Sequence, residues 1–168
     1  MGTQSHESKA LKCHDSQVAK KTAVSIFTAG NFYVGCHFFT LKRGGLVVMK
    51  KVLIVDDAEF MRLALKTMLE RNGFHVVGEA INGADGVGKY SELKPDVVTL
   101  DITMPEMDGI EALKNIKMID SRANVIMVSA MGQEKFIRDS VILGAKSFIV
   151  KPFKEEHVIK TITQVLGI

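Results

Sequence analysis

Cysteine, tryptophan and long apolar runs are scarce in this chain of 168 residues. It contains no tryptophan, and both cysteines, Cys13 and Cys36, lie within the first 48 residues. The remainder therefore has neither a disulfide framework nor a thiolate metal site. The apolar stretch at residues 23–41 is interrupted by Asn31, His37 and two glycines. A membrane-spanning helix needs about 20 predominantly apolar residues, so none is predicted and no membrane partner is expected.

An excess of one charge is also missing from most of the chain. Residues 1–48 contain six Lys/Arg and two acidic residues, a net charge of +4, whereas residues 49–168 contain sixteen and seventeen, a net charge of −1. The formal charge of +3 therefore belongs to the first segment. The larger segment lacks the basic excess that is typical of nucleic-acid binding, and no nucleic-acid partner is predicted.

The change in character near Met49 predicts a domain boundary. Met49 is followed at once by "KKVLIVDD", which is typical of the first strand of a compact domain. We therefore expect residues 1–48 to be a poorly structured N-terminal extension and residues 49–168 to form the domain. The extension is interpreted as translated upstream sequence or a disordered tail. A secretory signal starting at Lys20 and Lys21 is the alternative.

From Lys50 onward, apolar runs of strand length alternate with longer amphipathic stretches. The predicted strands are residues 51–56, 74–80, 96–101, 124–130 and 147–152. The predicted helices are residues 58–73, 83–93, 109–120, 133–145 and 155–168. Five such repeats predict an α/β fold, a five-stranded parallel sheet with helices on both faces. All strands except the second are almost continuously aliphatic, which indicates that both of their faces are covered.

The first helix shows its buried face as a periodic apolar pattern. Six apolar residues are predicted to share that face: Phe60, Met61, Ala64, Leu65, Met68 and Leu69. The Asn72-Gly73 pair is predicted to end the helix.

Polar residues interrupt the apolar pattern at the carboxyl ends of the strands. Asp56 and Asp57 follow the first strand, and Asp101, Ser129 and Lys151 end the third, fourth and fifth. Ligands bind at this edge of an open α/β sheet, and right-handed crossovers bring the first and third strands together. Any one Asp could be only a helix cap, but three clustered carboxylates repel one another and need a cation. Mg²⁺, which prefers oxygen ligands, is the predicted cofactor.

The motifs "VDD", "LDITMPEMDG", "SA" and "KPF" occur in the order and spacing of a known family. Residues 51–168 thereby resemble a response-regulator receiver domain of two-component signalling. The resemblance implies a flavodoxin-like (βα)5 sandwich with strand order 2-1-3-4-5.

The same resemblance implies a role for each site residue. Asp101 would be the phosphoacceptor. Mg²⁺ would be held by Asp56, Asp57, Asp101 and the Thr103 backbone carbonyl. Lys151 would pair with the phosphoryl group. Ser129 would be the switch hydroxyl and Phe148 the switch aromatic. The Lys151–Pro152 peptide bond would be cis.

The resemblance also implies a function and its partners. A histidine kinase would supply the phosphoryl group, and the output would be binding to another protein rather than release of a product, so the chain is not expected to be an enzyme. No effector domain follows the receiver in this chain, which ends at Ile168. We therefore expect a cytoplasmic chemotaxis regulator that acts on the flagellar motor switch. A phosphatase is a further candidate partner. The alternative is a phosphorelay intermediate that passes the group to a phosphotransfer protein.

A third possible function is that of a phosphohydrolase that forms an aspartyl phosphate on a similar α/β sheet. That class of enzyme needs a second Asp two residues after the nucleophile, and Thr103 stands there. Within the receiver family, the residue two beyond Ser129 flanks the line of water attack on the phosphoryl group. Met131 stands there and cannot orient a water molecule by a strong hydrogen bond.

Overall fold

The chain divides into two units between Val47 and Val48 in the computed structural model, which describes residues 40–42, 45–47, 49–131 and 133–168. In the first unit, strands β1 (Thr40–Lys42) and β2 (Gly45–Val47) form an antiparallel pair. Most of the predicted N-terminal extension, residues 1–48, lies outside the described residues, so its poor structure stays a prediction.

The second unit is a regular alternation of strands and helices. In chain order its elements are β3 (Lys51–Val55), α1 (Glu59–Arg71), β4 (His75–Ala80), α2 (Gly83–Leu93), β5 (Val97–Asp101), α3 (Gly109–Ile119), β6 (Val125–Ala130), α4 (Glu134–Ile142), β7 (Ser147–Lys151) and α5 (Glu155–Leu166). Its strands are parallel and lie in the order β4-β3-β5-β6-β7. Counted from β3, this is the predicted order 2-1-3-4-5. No helix in the described ranges has the length and hydropathy of a membrane span.

Local sequence signals fix several helix ends. The side chains of Asn82 and Asp108 accept hydrogen bonds from the backbone N–H groups three residues later and so cap α2 and α3. At the end of α1, Gly73 has a φ of +82°, a backbone conformation that favours glycine.

The core lies in two layers, one on each face of the sheet. Alternate residues of a strand point to opposite faces, so Leu53 and Val55 join one cluster while Val52 and Ile54 join the other. The first cluster includes side chains of α2 and α3, and the second includes side chains of α1 and α5. Each fully buried aliphatic side chain contributes roughly 1.5–3 kcal/mol, so the strand that carries the first acidic pair is firmly anchored.

Two predictions about burial were wrong. The strand at residues 147–152 was expected to be covered on both faces, but β7 is an edge strand that pairs only with β6, and Phe148 on it is 43% exposed. Phe60 was placed on the buried face of the first helix, yet it is 78% exposed. At about 100° per residue it lies about 140° from Leu65 and about 180° from Leu69, the buried residues of α1, so it is on the solvent side of the helix.

Candidate functional site at the carboxyl edge of the sheet

Two neighbouring strands bring three carboxylates together. Because Val55 of β3 is in register with Leu100 of β5, the residues that follow, Asp56 and Asp101, lie side by side. Asp57 completes the group, and one carboxylate oxygen from each of the three residues lies within 4.8 Å of the others. Asp56 and Asp101 are buried and Asp57 is exposed, so the cluster opens to solvent on one side.

Lys151, the last residue of β7, reaches across the sheet edge to two of these carboxylates. Its Nζ donates a hydrogen bond to Asp56 Oδ2 at 2.8 Å and lies 3.2 Å from Asp101 Oδ1. The Lys151–Pro152 peptide bond is cis, as the resemblance implied.

Burial and charge shift the proton affinities of this cluster. Burial, reinforced by the charge of Asp56, raises the pKa of Asp101 to about 6, although Lys151 acts in the opposite direction. Burial disfavours the ammonium form of Lys151, but its hydrogen bond to Asp56 and the charge of Asp101 outweigh this and raise the pKa of Lys151. One more positive charge would therefore stabilise the ionised carboxylates of this cluster.

A hard divalent cation fits the donor set. One carboxylate oxygen from each of the three residues lies within 4.8 Å of the others, which is close enough for a single small ion to contact all three. Mg²⁺ prefers such oxygen ligands and is held by few carboxylates. Asp56, Asp57 and Asp101 are thus the residues that could hold an ion.

Ser129 lies beside this cluster with its hydroxyl unpaired. It follows Val128, the register partner of Asp101, on the adjacent strand β6. Its side chain is fully buried, and in the described residues its Oγ has no hydrogen-bond partner; Thr99 Oγ1 in the core shares this condition. Buried hydroxyls are nearly always paired, and the hydroxyl of Ser129, next to the acidic cluster, is available to bond a group that enters the site.

The aromatic ring of Phe148 borders a surface cavity lined by residues of β6, α4 and β7. This cavity of about 400 Å³ is also lined by Ala130, Ile137 and Val150. Phe148 is half-exposed, so its ring contacts solvent as well as the cavity.

Gln133 links two loops at the site through its side-chain amide, a role that no sequence pattern predicted. Its Nε2 donates to Thr103 Oγ1 at 2.8 Å, and its Oε1 accepts from the Ala130 N–H at 2.9 Å. The loops after β5 and β6 are thus tied together. Met131 is 77% exposed beside this bridge. The ligand role of the Thr103 carbonyl stays a prediction.

Gly109 packs closely against the backbone of Asp101, the phosphoacceptor candidate. From the sequence it is predicted only to begin a helix. Its N–H donates to Ile102 O at 2.9 Å, and a Cβ at this position would collide with the carbonyl of Asp101. Only glycine permits this close approach, and the signal in the sequence was the "DG" of the loop motif.

Comparison with known proteins agrees with this geometry. Residues 52–163 match the family model of the response regulator receiver domain. The chain is 58% identical over 117 residues to chemotaxis protein CheY of Bacillus subtilis, covering 70% of this chain and 98% of that protein. It is 53% identical over 116 residues to chemotaxis protein CheY of Thermotoga maritima, covering 69% of this chain and 97% of that protein.

A solved structure shares the fold and also contains ligands. It is the CheX–CheY–BeF3–Mg²⁺ complex from Borrelia burgdorferi, which superposes with a TM-score of 0.68 at 43% identity and covers 70% of this chain and 90% of that chain.

Proposed function

Because this chain belongs to the response regulator receiver domain family, we propose that Asp101 accepts a phosphoryl group from a histidine kinase and that this modification switches binding to a partner protein. The observation that carries the proposal is the contact of one ammonium group, Lys151 Nζ, with both buried carboxylates, Asp56 and Asp101. Beside them, the unpaired hydroxyl of Ser129 could donate a hydrogen bond to a phosphoryl oxygen.

In the proposed transfer, a carboxylate oxygen of Asp101 attacks phosphorus. The new O–P bond forms as the P–N bond to the kinase histidine breaks, and the imidazole leaves with the electron pair. Lys151 balances negative charge on the phosphoryl oxygens as they approach. Because the phosphoryl group stays on the chain until water removes it, the outcome is a switched state rather than a released product.

Mg²⁺ is the proposed cofactor. Asp56, Asp57 and Asp101 would hold it, with the Thr103 backbone carbonyl as a further ligand. When bound, the ion supplies positive charge that orients and neutralises the phosphoryl oxygens. The Borrelia complex supports this assignment because Mg²⁺ and a fluoride of beryllium, a phosphoryl mimic, are present with the CheY-type chain.

The proposed output is control of the flagellar motor switch in chemotaxis, in the cytoplasm. Support comes from the two relatives named as chemotaxis proteins and from an apolar surface beside the site. We call this surface the α4–β7 face; its exposed or half-exposed members are Met131, Phe136 and Phe148. A partner such as CheX, which is present in the Borrelia complex, is a further candidate. A phosphatase that removes the phosphoryl group is another. The phosphohydrolase alternative is disfavoured because Thr103 stands where that class needs an acid.

A binding experiment tests the proposed output. A motor-switch peptide would be titrated with the full chain in Mg²⁺, with and without beryllium fluoride. We expect the mimic to raise peptide affinity, and D101N to lose that gain. Equal affinity in both conditions would contradict the motor-switch output. Phosphotransfer from Asp101 to a second histidine protein, with no gain in peptide affinity, would favour the phosphorelay alternative.

A further inference from the structure

Arg62 in α1 holds the turn that carries the first two acidic residues. Its Nη1 donates hydrogen bonds to the backbone carbonyls of Asp56 and Asp57, at 2.9 and 3.0 Å. Only 13% of its side chain is exposed although the residue lies on a surface helix. The guanidinium therefore spans two consecutive peptide groups next to the proposed metal site.

The two acidic residues depend on Arg62 to different degrees. Asp56 has other anchors, because its N–H donates to Ala80 O at 3.1 Å and its Oδ1 accepts from Ala58 N at 2.9 Å, in addition to the Lys151 contact. The Asp57 side chain makes no hydrogen bond or ion pair within the residues that the structure describes. The bond from Arg62 to its carbonyl is what fixes its peptide group.

Arg62 is itself held by the neighbouring strand. Its Nε lies 3.6 Å from Glu79 Oε2 on β4, and Lys66 Nζ lies 2.9 Å from the other oxygen of the same carboxylate. Arg62 and Lys66 thus share a partner, but only Arg62 contacts the acidic turn. The chain therefore offers a matched control for the loss of one positive charge beside Glu79.

We propose that Arg62 is a positioning residue for the cation site, because it fixes the β3–α1 turn so that Asp57 faces Asp56 and Asp101. This inference rests on the proposed function only in taking the acidic cluster to bind Mg²⁺. Outer partners that orient metal ligands typically change metal affinity by about 10- to 100-fold when they are removed. Lysine would not replace Arg62, since the guanidinium contacts both carbonyls through Nη1 and Glu79 through Nε at the same time, whereas lysine has a single nitrogen.

The charge of Arg62 and its hydrogen bonds to the turn should affect Mg²⁺ affinity in opposite directions. A guanidinium beside a cation site repels the cation, so loss of its charge alone would tighten Mg²⁺ binding. Loss of its hydrogen bonds to the turn would weaken Mg²⁺ binding. The sign of the change in affinity therefore separates the two effects.

The experiment is a calorimetric titration of the full chain with Mg²⁺ at fixed pH and ionic strength, comparing wild type, R62M, R62K and K66M. We expect R62M to bind Mg²⁺ about 10-fold or more weakly, because methionine keeps the apolar stem but donates no hydrogen bond. R62K, which keeps the charge, should also bind more weakly, whereas K66M should stay within about twofold of wild type. Unchanged or tighter binding in R62M would overturn the proposal.

Two further readouts complete the test. If R62M fails to fold, the Mg²⁺ affinity of R62K is the deciding measurement. An affinity equal to that of wild type would then overturn the proposed role. The rate of phosphorylation by a small phosphodonor should recover in R62K when Mg²⁺ is raised to saturation, which damage to the fold would not allow. If wild type binds Mg²⁺ but Asp101 takes no phosphoryl group, the proposed function fails while the positioning role of Arg62 stands.

Discussion

At the scale of single residues, the placement of Asp101 sets its acid–base behaviour. It ends β5, a strand whose five residues are all buried, so its carboxylate is removed from water beside a second carboxylate. Lys151 offsets this only in part, because its Nζ is shared with Asp56. The pKa of Asp101, raised to about 6 from an ordinary 3.8, means that ionisation of this residue costs the folded state free energy when no cation is bound.

The first prediction concerns pH and D101N in metal-free protein. Stability that the protonated carboxyl contributes is complete below about pH 4 and is lost as pH rises through about 6, because the folded state binds the proton more tightly than the unfolded state does. The amide never ionises, so D101N should be more stable than wild type at pH 7.5, by up to roughly 3 kcal/mol. Urea unfolding in a chelator from pH 4 to 7.5 measures the difference.

Mg²⁺ provides the control for that prediction. The cation should stabilise the wild-type carboxylates and reduce the advantage of D101N at neutral pH. A difference in unfolding free energy that is independent of pH, or that favours wild type at pH 7.5 in chelator, would contradict the assigned burial effect.

At the scale of elements, the start of α3 supports the end of β5. G109A would place a methyl group against the Asp101 carbonyl, and we expect it to lower the free energy of unfolding by about 1–3 kcal/mol and to weaken Mg²⁺ binding. G88A in α2 is the matched control, since a Cβ there meets open space and should stabilise the helix by about 0.5–1 kcal/mol. Unfolding and Mg²⁺ titrations measure both. Wild-type behaviour in G109A would show that the close approach is not needed.

The second prediction at this scale concerns coupling between β6 and β7. If Ser129 turns toward the phosphoryl group, space opens behind it and Phe148 can rotate into the cavity, which reshapes the α4–β7 face. S129A should therefore still accept phosphate but lose most of the phosphate-dependent gain in partner affinity, and F148A should also weaken that gain. Peptide titrations with beryllium fluoride check both variants. A full gain in folded forms of both would refute the coupling.

Sequence patterns predicted most elements, and the failures have physical causes. The positions of the strands and helices followed from the alternation of patterns, because a strand such as "VVTLD" is apolar where both of its faces are covered. The strand order followed from the family resemblance alone. An apolar pattern does not show whether a strand lies at the edge of a sheet, so the exposure of Phe148 was not predicted. Gln133 and Arg62 were missed because a side chain that bonds to backbone groups of a distant loop leaves no periodic signal in the sequence.

At the scale of the whole molecule, all predicted site residues and both core clusters lie within residues 49–168. We therefore predict that a chain starting at Met49 unfolds with the same free energy as the full chain, within about 0.5 kcal/mol, and takes up phosphate at the same rate. Thermal unfolding and phosphorylation kinetics on both chains measure this. A large loss of melting temperature on truncation would show that residues 1–48 stabilise the domain.

The central claim is that Asp101 is the phosphoacceptor, and intact-mass spectrometry with peptide mapping tests it most directly. The full chain would be incubated with a small phosphodonor and Mg²⁺, beside D101N and a sample in chelator. We expect the mass of one added phosphoryl group, mapped to Asp101, in wild type with Mg²⁺ only. Stoichiometric labelling of D101N at another residue, or no labelling of wild type, would contradict it.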